Sequence, residues 1–211
     1  MKDYDGIVFD LDGTLWDAAV ATAMGWNAAL AACGLPEHRV SAEDVRGVSG
    51  KPFRSCVEAI LPGPVIESHP DVFVALNAYE RSWVEAQGGR PYDGVVVGIE
   101  RLSQHYPLFL VSNCQKWYLE VFWSLFGLQA CFEDWDCHGA SALGKPAMLA
   151  DIIERHRLEA AIFVGDTQDD AQAAAAAGTD FGYAAYGFGH LGGSPVEFAS
   201  FEALVEWFTS V

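Results

Sequence analysis

Basic charge is scarce in this chain: 12 Lys plus Arg stand against 29 Asp plus Glu in 211 residues, a net charge of −17. A protein that grips nucleic acid through its phosphates needs a basic face, so this composition argues against that class of partner. No apolar run reaches the ~18 residues that a membrane-spanning helix requires. The N-terminus passes straight into an acidic strand, which predicts neither a signal peptide nor a membrane span. Cysteines are few, odd in number and free of any CxxC pair: Cys33, Cys56, Cys114, Cys131 and Cys137. That pattern fits a reducing cytoplasm better than a disulfide framework or a zinc site. Charged residues make up 19% and hydrophobic residues 51%, which excludes disorder and leaves an ordinary globular protein with one good core.

Against that background one stretch stands out, YDGIVFDLDGTLW from Tyr4 to Trp16. Ile7, Val8 and Phe9 form the short apolar run of a strand buried on both faces. It ends at Asp10, and Asp12 follows two residues later, on the same side of an extended backbone. Gly13 permits the turn that comes next. Two acids at the lip of a buried strand cost too much for simple packing, and so ask for a cation, phosphate chemistry, or both.

Residues from about 17 to 89 read as short helices. Asp17–Leu30 is helical, Ser41 caps a second helix, Phe53–Leu61 is a third, and Pro62-Gly63-Pro64 breaks the chain. His69–Gln87 carries Val72, Leu76, Tyr79 and Trp83 at helical spacing, with Trp26, Tyr79 and Trp83 expected in the core of this block. From Pro91 the pattern alternates. Strands are expected at Leu108–Ser112, near Cys131–Cys137, at Ala161–Val164 and at Phe181–Tyr186. Helices are expected at Gly94–His105, Lys116–Phe126, Pro146–Arg157, Asp170–Ala177 and about Phe198–Phe208. Such alternation predicts an α/β fold, a doubly wound parallel sheet with helices on both faces. Its first strand is central, with the second and third on one side and the fourth and fifth on the other. The expected division is a core of residues 1–16 and 90–211, with residues 17–89 inserted as an α-helical cap domain. In such sheets ligands bind beyond the carboxyl ends of the strands. Those ends carry Asp10 and Asp12, then Ser112 and Asn113, then Asp166 followed by Asp169 and Asp170, with Gly144-Lys145-Pro146 opening a helix.

The set DLDGTL, SN, GKP and GDTQDD resembles the haloacid-dehalogenase-type phosphohydrolase superfamily. It is most similar to the phosphatase branch with an inserted helical cap, of phosphoglycolate phosphatase type. The resemblance implies a Rossmann-like core and a Mg²⁺-dependent phosphatase acting on a small phosphorylated metabolite. Asp10 would be the nucleophile, ionised at neutral pH on its reference pKa of ~3.9, and would form an aspartyl-phosphate. Asp12 would protonate the leaving oxygen and then take a proton from water. Asp10, the backbone carbonyl of Asp12 and Asp166 would hold Mg²⁺, with Asp170 as a further acidic position. Ser112 would hydrogen-bond a phosphoryl oxygen, and Lys145 would offset the charge shared by Asp10 and phosphate. Asn113, Lys51 and Arg54 are substrate-binding candidates, the last two aimed at a distal anionic group. Lys116 is a further candidate phosphate contact, Asp169 reads as a helix N-terminal charge, and His190 as a solvated residue with no role. GKP is followed by Ala147-Met148-Leu149-Ala150, where similar phosphatases often place a second proline and an acid.

Pyrophosphatase or nucleotidase activity and phosphohexomutase activity are the alternatives within the superfamily. A non-catalytic, metal-binding interaction domain is the alternative outside it, and the intact set of Asp10, Asp12, Lys145 and Asp166 argues against it.

Overall fold

The computed structural model describes residues 4–194 and 196–210, so residues 1–3, 195 and 211 of the expected core lie outside the described residues. The chain opens on β1 (Gly6–Phe9) and a two-residue β2 (Trp16–Asp17), then enters five helices: α1 (Ala19–Ala32), α2 (Ala42–Val48), α3 (Phe53–Ile60), α4 (Gly63–Ser68) and α5 (Val72–Gln87). A second two-residue strand, β3 (Arg90–Pro91), brings the chain back beside β2. There follow α6 (Val95–Leu102), β4 (Leu108–Ser112), α7 (Lys116–Phe126), a 3-10 turn at Leu128–Cys131 and β5 (Asp134–Cys137). The remainder is α8 (His138–Ser141), α9 (Lys145–His156), β6 (Ala161–Gly165), α10 (Gln168–Ala177), β7 (Asp180–Ala184), β8 (Glu197–Phe198) and α11 (Phe201–Thr209).

Six strands form one parallel sheet in the order β5-β4-β1-β6-β7-β8. The expected arrangement therefore holds, with β1 between β4 and β6. Ile7 faces Leu108 on one side and Ile162 on the other. Alternate residues separate cleanly, as the strand period of two requires. Ile7, Phe9, Leu108, Leu110, Ile162 and Val164 join the core that includes residues of α6, α7 and α11. Val8, Phe109, Val111 and Phe163 join Met148, Leu149 and Ile152 of α9 and Ala173 and Ala174 of α10. Both faces are covered, which is why the strands are apolar throughout instead of alternating.

Helices α1–α5 share a separate apolar cluster built on Trp26, Leu30, Val45, Val57, Val72 and Leu76. Tyr79 is exposed, contrary to the core position expected for it. Its spacing is helical, but it falls on the outer side of α5. Helix α4 occupies the stretch read as a break, because proline suits the first turn of a helix, where its missing N–H costs nothing. Strands β2, β3 and β8 escape sequence reading because two residues carry no periodicity. The pair β2–β3 is antiparallel, with Trp16 opposite Pro91 and Asp17 opposite Arg90. Among the described residues no helix is long and apolar enough to cross a membrane.

Helix α1 packs on α5 at Gly25, where an added Cβ would lie 2.8 Å from Glu80 Cα and 2.9 Å from the Tyr79 carbonyl oxygen. Gly25→Ala is therefore expected to push the two helices apart at a destabilisation of about 1–3 kcal/mol, read as a lower melting temperature. An unchanged or raised melting temperature contradicts this close approach.

Candidate active site

The carboxyl ends of β1, β4 and β6 converge with the start of α9. Lys145, at the first turn of α9, is 2% exposed although it is an amine. Its Nζ lies 2.9 Å from Asp10 Oδ1 and 2.6 Å from Asp170 Oδ1. Burial alone would lower the lysine pKa, but the two carboxylates outweigh it and hold the ammonium protonated. Asp170 is fixed from its other side. It is the third residue of α10, and its Oδ2 accepts hydrogen bonds from Thr167 N (2.9 Å) and Thr167 Oγ1 (2.6 Å). Thr167 Oγ1 in turn accepts from Asp170 N at 3.2 Å, which completes a capping box at the start of α10.

Asp166, at the end of β6, is held by backbone alone: the amides of Phe188 and Gly189 donate to its Oδ2 at 2.7 and 3.1 Å. Gly13 (φ +79°) makes room for it, since a Cβ there would lie 2.2 Å from Asp166 Oδ2. Ligand oxygens of Asp10, Asp166 and Asp170 all come within 4.8 Å of one another. Asp10 Oδ2 and Asp166 Oδ1 are buried and have no hydrogen-bond partner among the described residues. Two orphaned carboxylate oxygens in an all-oxygen set suit a hard divalent cation such as Mg²⁺, so the residues present fit the expected ion. Without it, burial pushes the Asp10 carboxyl well above its ordinary range; Lys145 opposes this, while Asp170 and Asp166 add to it. Ionisation of Asp10 on its reference value is thus not what this burial dictates. Burial, with Asp170 beside it, likewise raises Asp166 to about 7.

The Asp12 carboxylate is not part of this cluster. Its Oδ1 accepts a 2.7 Å hydrogen bond from the Tyr118 hydroxyl on α7. Burial raises its carboxyl to about 6, with Tyr118 and Lys145 pulling the other way. Ser112 is buried, and its Oγ accepts from Cys114 N at 3.3 Å, leaving its own hydrogen to donate elsewhere.

Asp12, Ser112, Asn113, Tyr118 and Lys51 all line one cavity of about 60 Å³ between the sheet and the helical block. That block is tied down over it. Asn113 Nδ2 donates to the Gly50 carbonyl at 2.7 Å, and Trp117 Nε1 to Asn77 Oδ1 at 3.1 Å. Arg54 is not gathered with them. It pairs with Glu58 at 3.3 Å, lies over the Phe73 ring at 4.3 Å, and is absent from the cavity wall. Lys116 is likewise turned outward, toward Glu120 at 3.7 Å. Asp169 is exposed in the first turn of α10, and His190 is exposed.

Sequence reasoning missed Tyr118, the amides of Phe188 and Gly189, and Glu80, which lines the same cavity and accepts a hydrogen bond from Trp26 Nε1 at 2.9 Å. The amides carry no side-chain signal at all. Tyr118 sits among Trp117, Leu119 and Phe122, where an aromatic reads as core.

Comparison with known proteins places these features in a family. The model of the haloacid dehalogenase-like hydrolases matches residues 4–178. A phosphoglycolate phosphatase of Vibrio parahaemolyticus is 30% identical over 210 residues, covering 92% of this chain and 89% of that protein. One from Photobacterium profundum is 25% identical over 226 residues, covering 100% and 96%. A solved structure of a predicted phosphoglycolate phosphatase from Haemophilus somnus superposes with a TM-score of 0.84 at 23% identity, covering 98% of this chain and 99% of that one. At that identity the likeness is one of fold.

The raised carboxyl of Asp166 has a stability consequence. In the metal-free protein a proton binds it more tightly folded than unfolded, so its contribution is fully present below its ordinary value of 3.8 and is lost as pH rises through about 7. Asp166→Asn keeps an acceptor for the two amides and removes this titration. Its melting temperature, measured with chelator present, is expected to gain on wild type as pH rises from about 4 to 7 and then level off. A difference that stays flat across that window contradicts the assignment.

Proposed function

Because this chain belongs to the haloacid dehalogenase-like hydrolase family, we propose that it is a Mg²⁺-dependent phosphatase that hydrolyses a small phosphorylated metabolite through a covalent phosphoryl group on Asp10. The observation that carries this reading is Asp10 itself. One carboxylate oxygen is 2.9 Å from the buried Lys145, and the other is buried with no hydrogen-bond partner among the described residues. A structural aspartate at such a position would have both oxygens satisfied.

Asp10 Oδ2 attacks phosphorus, and the bond from phosphorus to the ester oxygen breaks. Asp12 gives its proton to that departing oxygen. A carboxyl raised to about 6 keeps a protonated fraction near neutral pH, which an ordinary aspartate hardly does. Tyr118 holds Asp12 by its Oδ1, which leaves Oδ2 for the leaving group. In the second half, water attacks phosphorus and passes a proton to Asp12, releasing phosphate and restoring Asp10. The Ser112 hydroxyl donates to a phosphoryl oxygen, and Lys145 balances the negative charge that Asp10 and the phosphoryl group share. Asp10, Asp166, the Asp12 carbonyl and, through its neighbourhood, Asp170 would hold the Mg²⁺, which when bound supplies positive charge to the phosphoryl oxygens and to the crowded carboxylates.

Residues 17–89 act as the cap in this reading. Gly50 and Lys51 meet the sheet's carboxyl edge, so substrate entry needs the block to lift and turnover needs it to close and exclude bulk water. Phosphoglycolate-type or general phosphomonoesterase activity is the primary expectation, as the names of the relatives suggest.

The test is hydrolysis of a chromogenic aryl phosphate with and without Mg²⁺. Wild type is expected to release phosphate only with the cation present, and Asp10→Asn to release none. Asp12→Asn is expected to lower kcat by roughly 10²–10⁴-fold. Equal turnover by wild type and Asp10→Asn across a panel of phosphate esters overturns the proposal. So does isomerisation of a sugar phosphate without release of phosphate.

A further inference from the structure

After β7 the chain runs past both segments that supply the acids Asp10, Asp12 and Asp166. Tyr186 donates its hydroxyl to the Thr14 carbonyl at 2.9 Å, two residues beyond Asp12. The next residue, Gly187, lies against both segments at once. A Cβ there would fall 2.3 Å from the Gly13 carbonyl oxygen and 2.4 Å from Asp166 Cβ. At Gly189 a Cβ would fall 2.2 Å from the Asp166 carbonyl oxygen. Backbone comes this close only where no side chain intervenes.

That closeness is what brings the amides of Phe188 and Gly189 to Asp166 Oδ2, at 2.7 and 3.1 Å. Two donors on one oxygen fix the carboxylate's orientation. They leave Oδ1, which is buried and has no hydrogen-bond partner among the described residues, as the oxygen free for a cation. The loop therefore decides which face of Asp166 the site presents.

Two tyrosines hold the loop in place. Tyr183 is buried on β7 opposite Gly165, the residue before Asp166. Its hydroxyl donates to the Gly189 carbonyl at 2.9 Å and accepts from Leu191 N at 3.2 Å. Tyr186, through Thr14, ties the same loop to the turn that follows β1. Its ring meets that of Tyr92 edge-on, with 5.0 Å between centroids.

We propose that Tyr183 and Tyr186 are positioning residues of the Mg²⁺ site: their hydroxyls fix the loop that orients Asp166 and braces the turn carrying the Asp12 carbonyl. The inference rests on the Mg²⁺-dependent phosphatase reading and adds two residues that act through backbone groups instead of as ligands. Groups that orient a ligand commonly affect metal affinity nearly as much as the ligand itself.

Removing a single hydroxyl leaves the ring packing in place. Tyr183→Phe and Tyr186→Phe are each expected to raise the Mg²⁺ dissociation constant by ~5-fold or more. The readout needs no substrate: the rise in melting temperature as Mg²⁺ is added. The half-saturating Mg²⁺ concentration for aryl phosphate hydrolysis should move by the same factor, with kcat at saturating Mg²⁺ little changed. Tyr4→Phe is the control. Its hydroxyl donates to Asp180 at 2.8 Å, at the opposite end of the strands, so Mg²⁺ affinity should stay at the wild-type value. If one variant fails to fold, the other decides, since the two hydroxyls hold separate points of the loop. Phenylalanine variants that bind Mg²⁺ as tightly as wild type overturn the inference and leave the phosphatase reading intact. An equal loss of affinity in Tyr4→Phe also overturns it, because any loosening of the fold would then suffice. A wild type whose melting temperature and aryl phosphate turnover both ignore Mg²⁺ overturns the Mg²⁺ reading, and the inference falls with it.

Discussion

One ammonium among three buried carboxylates is the constraint on which the rest of this structure depends. Lys145 touches Asp10 and Asp170, while Asp166 stands within the same cluster with no ion pair among the described residues. Such an arrangement is unstable by itself, because each buried charge needs a partner and like charges repel. The fold meets that strain locally. Two backbone amides hold Asp166, a capping box holds Asp170, and the end of the central strand fixes Asp10. What these supports leave over is an appetite for positive charge, and that is the condition a metal-assisted phosphoryl transfer begins from.

Chemistry and selection are divided between two layers. The groups proposed to move the phosphoryl group and the proton come from strand ends and the first turns of α9 and α10, all anchored in a sheet buried on both faces. The helical block, which has its own apolar cluster, brings Glu80 and Lys51 to the opposite wall of the cavity. The site is completed only where the two meet, through short polar contacts such as Asn113 to Gly50. Exchangeable contacts of that kind suit a boundary proposed to open and reclose.

The sheet and the acidic centre were legible in the sequence for the same reason. Each strand is an apolar run that stops at a polar residue, and the strand end is where a doubly wound fold keeps its site. Asp10, Asp12, Asp166 and Lys145 could therefore be placed without any long-range information. Tyr118 and Glu80 could not, since what matters about each is a partner 106 or 54 residues away. Arg54 misled because a basic side chain near a substrate-facing loop reads as a ligand. Its actual partners, Glu58 and Phe73, hold it against the outer part of the block. Asp10 misled in a different way. Residue type gives a reference acidity, whereas the shift comes from burial and from neighbours that only the fold assembles.

The antiparallel pair β2 and β3 has a consequence out of proportion to its size. Trp16 and Asp17 leave the sheet directly opposite Arg90 and Pro91, where the chain comes back. The exit and the return are thus a single strand spacing apart, whatever lies between them. A segment spliced in at such a doorway can lengthen, shorten or be rebuilt while its two ends stay where they are, and the strands behind it keep their register. The half of the molecule that carries the acidic cluster is in this sense a socket. What plugs into it can be retailored for a new substrate without redesigning the reaction.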